Sequence, residues 1–223
     1  MTAAPLLVAH GTRSAVGVAA VGALADAVSA HIGPVRTAFV DVLGPSPSEV
    51  LATVDGPAVV VPAFLAAGYH VHTDLPAHVA RSGHPAVTVT APLGPDPVLA
   101  DVMAARLADA GRRPGDAVVL AAAGSSDPRA RRDVAAAADL LARRVGPVAV
   151  GYVATGKPRV ADVVAGLRRE HDRVFVASYL LAPGLFHDRL ASCGATGVAA
   201  PLAGHPRLVE LVVSRFTRVP AVR

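Results

Sequence analysis

Residues 6–13 read LLVAHGTR, an apolar run that turns at a glycine into a long segment rich in Ala and Val. Residues 119–126, VLAAAGSS, repeat that pattern 113 residues later. Two further pairs of segments are similar in the same order along the chain: PAFLAAGYH (62–70) with SYLLAPGLF (178–186), and APLGPDP (91–97) with APLAGHP (200–206). Landmarks that recur in one order predict a duplicated structural unit.

Each copy alternates continuous apolar runs with helical patterns. The runs predict strands near 5–9, 35–41, 57–65, 86–91, 117–122, 147–153, 173–181 and 197–201. The helical patterns lie near 14–30, 46–54, 73–82, 96–110, 127–144, 158–170, 186–192 and 205–216. Strands that are apolar throughout are typical of parallel sheets covered by helices on both faces. We therefore predict two similar doubly wound α/β domains, 1–111 and 112–223, with a cleft between their carboxyl-end loops.

The composition indicates a globular protein with an ample core, since 52% of the 223 residues are hydrophobic. We expect no membrane span, because the apolar runs look shorter than the roughly 18 to 20 residues that a span needs. The N-terminus also lacks the basic region of a signal peptide. The single cysteine, Cys193, excludes an internal disulfide and a cysteine-based zinc cluster. We expect a cytoplasmic protein without membrane partners, either a monomer or a homodimer.

Charge is divided unequally between the two copies. Through Gly111 there are four Lys and Arg against eight Asp and Glu, whereas the remainder has 17 against nine. Most arginines of the second copy lie on predicted helices, where a solvated face is their commoner role. The chain has no Trp, and no aromatic set accompanies the arginines, so nucleic-acid binding is not expected. The glycine fingerprints of nucleotide-binding loops are absent, so no nucleotide cofactor is expected.

Two histidines, His10 and His70, follow the first and third predicted strands. Because parallel strands end at one edge of a sheet, both imidazoles are expected at that edge, where they suit a first-row divalent metal or proton transfer. The second copy has Ala123 and Phe186 at the aligned positions, so the fold does not require the histidines and a functional role is favoured. Asp74 is expected either to favour the start of the next helix or to orient a histidine.

Further residues are candidates for substrate binding. Thr12 and Arg13 begin the first helix after its glycine turn, where free backbone N–H groups attract anions, and Ser125 repeats this position in the second copy. His72 lies two residues beyond the second candidate ligand, and His187 falls beside the aligned position in the second copy. We expect these five residues to lie near a ligand in the cleft.

Three segments of the chain, in their order and spacing, resemble the sirohydrochlorin chelatases of the cobalt- and ferrochelatase group, including their long form with two fused copies. The segments are LLVAHGTR, PAFLAAGYHVHTDLP and APLGPDP. The resemblance covers nearly the whole chain and implies a class II chelatase fold whose two domains clasp a tetrapyrrole. It implies that His10 and His70 are the catalytic residues that bind the incoming metal, Co²⁺ or Fe²⁺, which is a substrate. The implied reaction is metal insertion into sirohydrochlorin, for cobalamin or siroheme respectively. The second copy departs from the family pattern because it lacks both histidines.

Three alternatives stay open at this point. An imidazole pair accepts several first-row ions, so a nickel-specific tetrapyrrole chelatase is one alternative. A tetrapyrrole or metal carrier that releases its ligand unchanged is another, and a hinged two-domain binding protein with incidental histidines is the third. Metallation turnover distinguishes the enzyme from the carrier, and metal dependence distinguishes both from the hinged protein.

Overall fold

Two four-stranded parallel sheets form the centre of the molecule, in a computed structural model that describes residues 3–218. The first sheet consists of β1 (Ala4–Ala9), β2 (Arg36–Phe39), β3 (Ala58–Pro62) and β4 (Val87–Val89), in the spatial order β2-β1-β3-β4. The second consists of β5 (Ala117–Ala122), β6 (Val148–Tyr152), β7 (Val174–Tyr179) and β8 (Gly197–Val198), in the order β6-β5-β7-β8. All neighbouring strands are parallel, so the predicted duplication and fold class are confirmed.

Helices connect the strands at the predicted places: α1 (Ala15–Ile32), α2 (Pro47–Leu51), α3 (Leu75–Ser82), α4 (Pro97–Asp109), α5 (Pro128–Val145), α6 (Val160–Leu167), α7 (Leu185–Asp188) and α8 (Pro206–Thr217). A π-helical turn, His70–Asp74, precedes α3, and a 3₁₀ turn, Arg189–Ser192, follows α7. Ser46 caps α2 in a reciprocal pair with Glu49, and Asp127 caps α5. These caps satisfy backbone N–H groups that would otherwise lack partners at the helix start.

The sheets are stacked through a continuous layer of helices. α1, α4, α5 and α8 lie between them and form one apolar core with the inner faces of both sheets. On the outer face of the first sheet, Leu51 of α2 and Leu75 of α3 pack against Leu6, Val8 and Val60. The outer face of the second sheet is covered by α6 and by the 3₁₀ turn. Both faces of each sheet are therefore buried, as the apolar strands predict.

The fourth helix of each copy packs against the sheet of the other copy. α4 lies on β7 of the second sheet, and α8 lies on β3 of the first. Arg106 near the end of α4 donates a hydrogen bond to the Ala203 carbonyl in the second copy, at 3.3 Å. Each half of the chain thus contains one sheet but covers the inner face of that sheet only in part. The division at residue 111 stays a prediction about the domains.

Polar contacts also tie the segment after β3 to the second copy. The Tyr179 hydroxyl donates to the Leu65 carbonyl oxygen at 2.6 Å, and the Ala67 N–H donates to Asp133 Oδ2 at 2.7 Å. A Cβ on Gly94 would lie 2.3 Å from the Leu65 oxygen and 2.4 Å from the Tyr179 hydroxyl oxygen. Only glycine fits between these two groups, so the first and second copies are closely packed against each other here.

The expectation that no apolar run is long enough for a membrane span is wrong for α1. Its 18 residues have a mean hydropathy of 1.6, which suffices for a membrane helix by length and composition. In the structure α1 connects β1 to β2, and Val21, Leu24 and Val28 are buried in the core between the sheets. A core helix reaches the same hydropathy because its inner face is apolar and its outer face is rich in alanine.

Candidate metal centre

The turn after β1 fixes the backbone of His10. Gly11 has a φ of 104°, and a Cβ there would lie 2.0 Å from the Asp41 carbonyl oxygen, so glycine is required. The Asp41 N–H donates to the His10 carbonyl at 3.0 Å, which joins this turn to the loop after β2. The second copy has the same glycine turn: Gly124 has a φ of 95°, and a Cβ there would lie 1.7 Å from the Thr155 carbonyl oxygen. The glycine serves the backbone in both copies, whereas the histidine occurs in only one.

His10 and His70 meet at the carboxyl-end edge of the first sheet. Their Nε2 atoms lie 3.0 Å apart, and the two rings are nearly perpendicular with centroids 4.4 Å apart. His10 is exposed, and about a third of the His70 side chain is accessible. The structure therefore brings the two predicted ligands together at a place that a ligand can reach.

Asp74 orients the His70 ring. The π-helical turn places Asp74 four residues after His70 and on the same side, so that His70 Nδ1 lies 2.6 Å from Asp74 Oδ2. Single π-helical turns occur frequently at functional sites. The carboxylate can only accept, so Nδ1 carries the hydrogen and Nε2 presents its lone pair toward His10.

The hydrogen bonds of the two rings leave a place for a cation between them. His10 Nδ1 lies 3.0 Å from the Gly11 carbonyl oxygen, which is also only an acceptor. With a hydrogen on both Nδ1 atoms, the two Nε2 atoms direct lone pairs at each other across 3.0 Å. Two facing lone pairs repel unless a proton or a metal ion lies between them. Such a pair can hold either a metal ion or a proton between its two nitrogens.

The pair leaves most coordination positions of a metal open. A divalent ion about 2.1 Å from both nitrogens would have them about 90° apart, close to the ligand angle of an octahedral ion. Among residues 3–218, no group of three or more His, Cys, Asp and Glu side chains is placed to hold a metal. Open positions for water and for a second ligand are characteristic of catalytic rather than structural metal sites.

Asp41 lies next to the pair at the end of β2 and was not among the candidates from sequence. Its carboxylate accepts a hydrogen bond from the Val42 N–H at 2.7 Å and is exposed. Val42 has a φ of 71°, a strained conformation for a β-branched residue, which these loop contacts hold in place. The position of Asp41 follows from the same argument that pairs the histidines, because β2 ends beside β1.

The remaining predicted residues lie in two places. Thr12 Oγ1 accepts from the Ser14 N–H at 3.1 Å, and Ser125 Oγ accepts from the Asp127 N–H at 3.0 Å, each at the start of a helix. Arg13 is exposed beside Thr12. All three residues lie in the segments that follow β1 and β5 at the carboxyl ends of the strands, and their contact with a ligand stays a prediction.

His72 and His187 do not join the histidine pair. His72 is exposed and lines a separate open cavity of about 410 Å³ together with Arg129 and Arg215 of the second copy. His187 Nε2 lies 3.2 Å from the Ala199 carbonyl oxygen beyond β8, so this ring is held against the second sheet. His72 is close to His70 in sequence, and His187 is close to the aligned position, yet neither ring points toward the pair. The direction of each ring depends on the helical turn that carries it.

Comparisons with solved structures agree with this architecture. SirB from Bacillus subtilis with Fe³⁺ superposes with a TM-score of 0.81 at 24% identity, over 96% of this chain and 94% of that chain. The sirohydrochlorin chelatase SirB from B. subtilis subspecies spizizenii in complex with cobalt gives a TM-score of 0.79 at 23% identity, over 97% and 94%. CbiX, described as the terminal enzyme for siroheme biosynthesis in denitrifying bacteria, gives 0.76 at 23%, over 98% and 100%.

These identities establish a shared fold for the whole chain. No curated protein matches the sequence. The model of the CbiX family matches twice, over residues 4–110 and again over 117–219, so that each copy of the duplication is recognised separately. The duplication found in the sequence, the two sheets and the double match together show that this chain belongs to the CbiX family.

Proposed function

We propose that the protein is a sirohydrochlorin chelatase, an enzyme that inserts Co²⁺ or Fe²⁺ into the tetrapyrrole during cobalamin or siroheme synthesis. The observation that carries the proposal is the pair of His10 and His70 Nε2 atoms, 3.0 Å apart, with both Nδ1 atoms facing acceptors. Membership of the CbiX family and the fold shared with SirB, whose structures hold Fe³⁺ and cobalt, support it.

The proposed mechanism starts with the metal on the two imidazoles. His10 and His70 hold the ion at the exposed edge of the first sheet, and Asp74 keeps the His70 lone pair directed at it. The open coordination positions let the pyrrole nitrogens bind the ion while it is still held by the protein. The metal then exchanges its imidazole ligands for ring nitrogens in steps.

Metal insertion also requires the macrocycle to lose two N–H protons. When the ion leaves Nε2 of His10 or His70, that nitrogen becomes a free base beside the ring, and one proton can be taken there. The other proton goes to water at this exposed edge, because two N–H hydrogens do not fit between nitrogen atoms 3.0 Å apart. The repulsion between the two lone pairs favours the one proton that takes the place of the departing ion.

Substrate contacts form the second part of the proposal. Thr12, Arg13 and Ser125 lie at helix starts beside the metal centre, where backbone N–H groups and a cation attract carboxylates. His72 and His187 are proposed to contact the periphery of the substrate rather than the metal. A cytoplasmic location, a monomeric or homodimeric state and the absence of a nucleotide cofactor or nucleic-acid partner belong to the same proposal.

The exchanged helices argue against a hinged binding protein. Rotation of one sheet relative to the other would have to break the packing of α4 on β7 and of α8 on β3. It would also break the hydrogen bond between Tyr179 and Leu65. This packing therefore opposes hinged closure around a small ligand.

The experiment that tests the function is anaerobic metallation of sirohydrochlorin, followed by its absorption spectrum with Co²⁺, Fe²⁺ or Ni²⁺. We expect turnover above the spontaneous rate, lost in His10→Ala and in His70→Ala. His171→Ala is the matched control, because His171 is exposed in the segment between α6 and β7, at the opposite end of the strands from the metal centre. Binding of sirohydrochlorin without turnover would identify a carrier instead, and a response to Ni²⁺ alone would identify the nickel enzyme.

A further inference from the structure

An open cavity of about 550 Å³ lies beside the metal centre, where the two copies of the chain meet. Tyr69 forms one wall, and the start of α5 forms the other. The Tyr69 side chain is 58% exposed, and its ring centroid lies 6.2 Å from that of His70. The cavity therefore begins one aromatic ring away from the histidine pair.

The α5 wall carries two arginines with different surroundings. Arg129 donates hydrogen bonds to both carboxylate oxygens of Asp127 and holds the pKa of that carboxyl below its ordinary value. Arg132 lies nearly one turn further along the helix and is exposed. Within the described part of the chain, residues 3–218, no carboxylate forms an ion pair with Arg132. Arg132 is the guanidinium in this wall whose charge is available to a ligand.

The distance between this wall and the metal centre is set by the fold. Asp133, the residue after Arg132, accepts the hydrogen bond from the Ala67 N–H at 2.7 Å. A Cβ on Gly68 would lie 3.3 Å from the Ala130 Cβ, so the loop before Tyr69 lies directly on α5. The loop that carries the second metal ligand cannot move away from α5 without breaking both contacts.

We infer that Arg132 and Tyr69 form a binding site for one carboxylate-bearing edge of the tetrapyrrole, an inference that rests on the proposed function. A macrocycle centred over the histidine pair must extend sideways, and extension past Tyr69 brings its edge into this cavity. An exposed aromatic ring contacts the apolar macrocycle, and a guanidinium binds a carboxylate through paired hydrogen bonds. The second copy then supplies the anchor for a substrate whose metal is held by the first.

The site is tested by measuring two quantities in parallel. One is the Kd of metal-free sirohydrochlorin, from its absorption or fluorescence change on binding; the other is the pair of KM and kcat for metallation. For Arg132→Ala we expect Kd and KM to rise about five- to tenfold, with kcat within about twofold of wild type. Arg132→Glu should weaken binding further, and Arg132→Lys should restore part of it. Arg143→Ala is the matched control, because it removes the same charge from an exposed position at the other end of α5.

The outcomes separate this inference from the proposed function. Wild-type turnover with an unchanged Kd and KM in Arg132→Ala would overturn the binding site and leave the chelatase in place. Equal weakening by Arg132→Ala and Arg143→Ala would also overturn it, since general attraction between charges would then suffice. If the wild type binds sirohydrochlorin without turnover, the Kd values alone decide the binding site. A wild type that does not bind sirohydrochlorin overturns both proposals.

Discussion

Asp74 Oδ2 accepts a hydrogen bond from His70 Nδ1 at 2.6 Å, one turn of a π-helix further along the chain. An α-helical turn at this place would rotate the two side chains relative to each other by a different angle. The π-helical turn carries both groups, and the hydrogen bond of Nδ1 to Asp74 leaves Nε2 of His70 facing His10. A carboxylate behind a metal-binding histidine fixes the ring and strengthens the nitrogen as a ligand.

Substitution of Asp74 tests its contribution to metallation and to metal binding. We expect Asp74→Ala to lower kcat for metallation about 10- to 100-fold and to weaken Co²⁺ binding to the protein alone by a similar factor. Asp74→Asn should recover most of both, because its amide oxygen still accepts the hydrogen bond. Asp139→Ala, at an exposed position on α5, is the control for loss of a carboxylate.

A purely structural role for Asp74 predicts a different result. In that case Asp74→Ala would lower the free energy of unfolding while the correctly folded fraction kept the Co²⁺ affinity of wild type. Circular dichroism and urea unfolding on the same samples distinguish the two roles.

Tyr179→Phe tests the link between the second sheet and the loop that leads to His70. Burial raises the pKa of the Tyr179 hydroxyl, so it stays protonated and donates to the Leu65 carbonyl. The substitution leaves that carbonyl without its donor, and we expect a loss of about 1 to 3 kcal/mol in the free energy of unfolding. Urea unfolding measures it. Tyr152→Phe, which changes a tyrosine at the end of β6 in the same way, should cost less; equal losses would contradict a special role for this contact.

Asp101 joins three helices between the sheets. Its carboxylate on α4 pairs with Arg144 of α5 at 2.9 Å and with Arg207 of α8 at 2.6 Å. The hydrogen bond from Arg144, with a smaller contribution from Arg207, holds the pKa of Asp101 below its ordinary value. A lowered folded-state pKa adds stability above the unfolded-state pKa of about 3.9 and loses it as the pH falls through the folded-state value.

We therefore expect Asp101→Asn to cost about 1 kcal/mol of unfolding free energy, constant from about pH 5 to about pH 8. The difference from wild type should begin to shrink below about pH 4, where Asp101 of the unfolded chain takes up a proton, and should vanish only below the lowered pKa of folded Asp101. Urea unfolding across this pH range measures it, with Asp139→Asn as the control. A difference that persists at the acid end would show that the loss comes from packing rather than charge.

Most of the fold was predictable from sequence because the strands are short, mostly apolar and separated by helical patterns. All eight strands and eight helices occur where the patterns place them. The exchange of α4 and α8 was not predictable, since their buried residues, such as Leu99, Met103 and Leu208, are equally apolar whichever sheet they cover. Local pattern determines that a helix face is buried but not against which neighbour.

The candidate site was predictable to the extent that it follows from topology. His10 directly follows β1, and His70 lies in the segment that follows β3. Because β1 and β3 are adjacent and parallel, the convergence of the two histidines followed from the fold class. The separation of His72 from the pair did not, because it depends on the π-helical turn, for which the sequence carries no clear signal. Tyr69 was missed because its proposed role depends on the start of α5, which only the fold brings beside it.

The exchanged helices predict that neither half of the chain folds alone as a monomer. In a fragment of residues 1–111 the inner side of β3 loses α8, and α4 loses the second sheet that it covers. Val59 and Val61 of β3, and Leu99 and Leu107 of α4, belong to the core between the sheets and would become exposed to water.

We expect this fragment to be unfolded or self-associated, and to form a folded 1:1 complex when co-expressed with residues 112–223. Light scattering after size-exclusion chromatography measures the mass, and urea unfolding measures cooperativity. A monomeric fragment 1–111 with a cooperative transition would show that α4 can turn back onto its own sheet, and that the exchange is a consequence of fusing two self-sufficient domains.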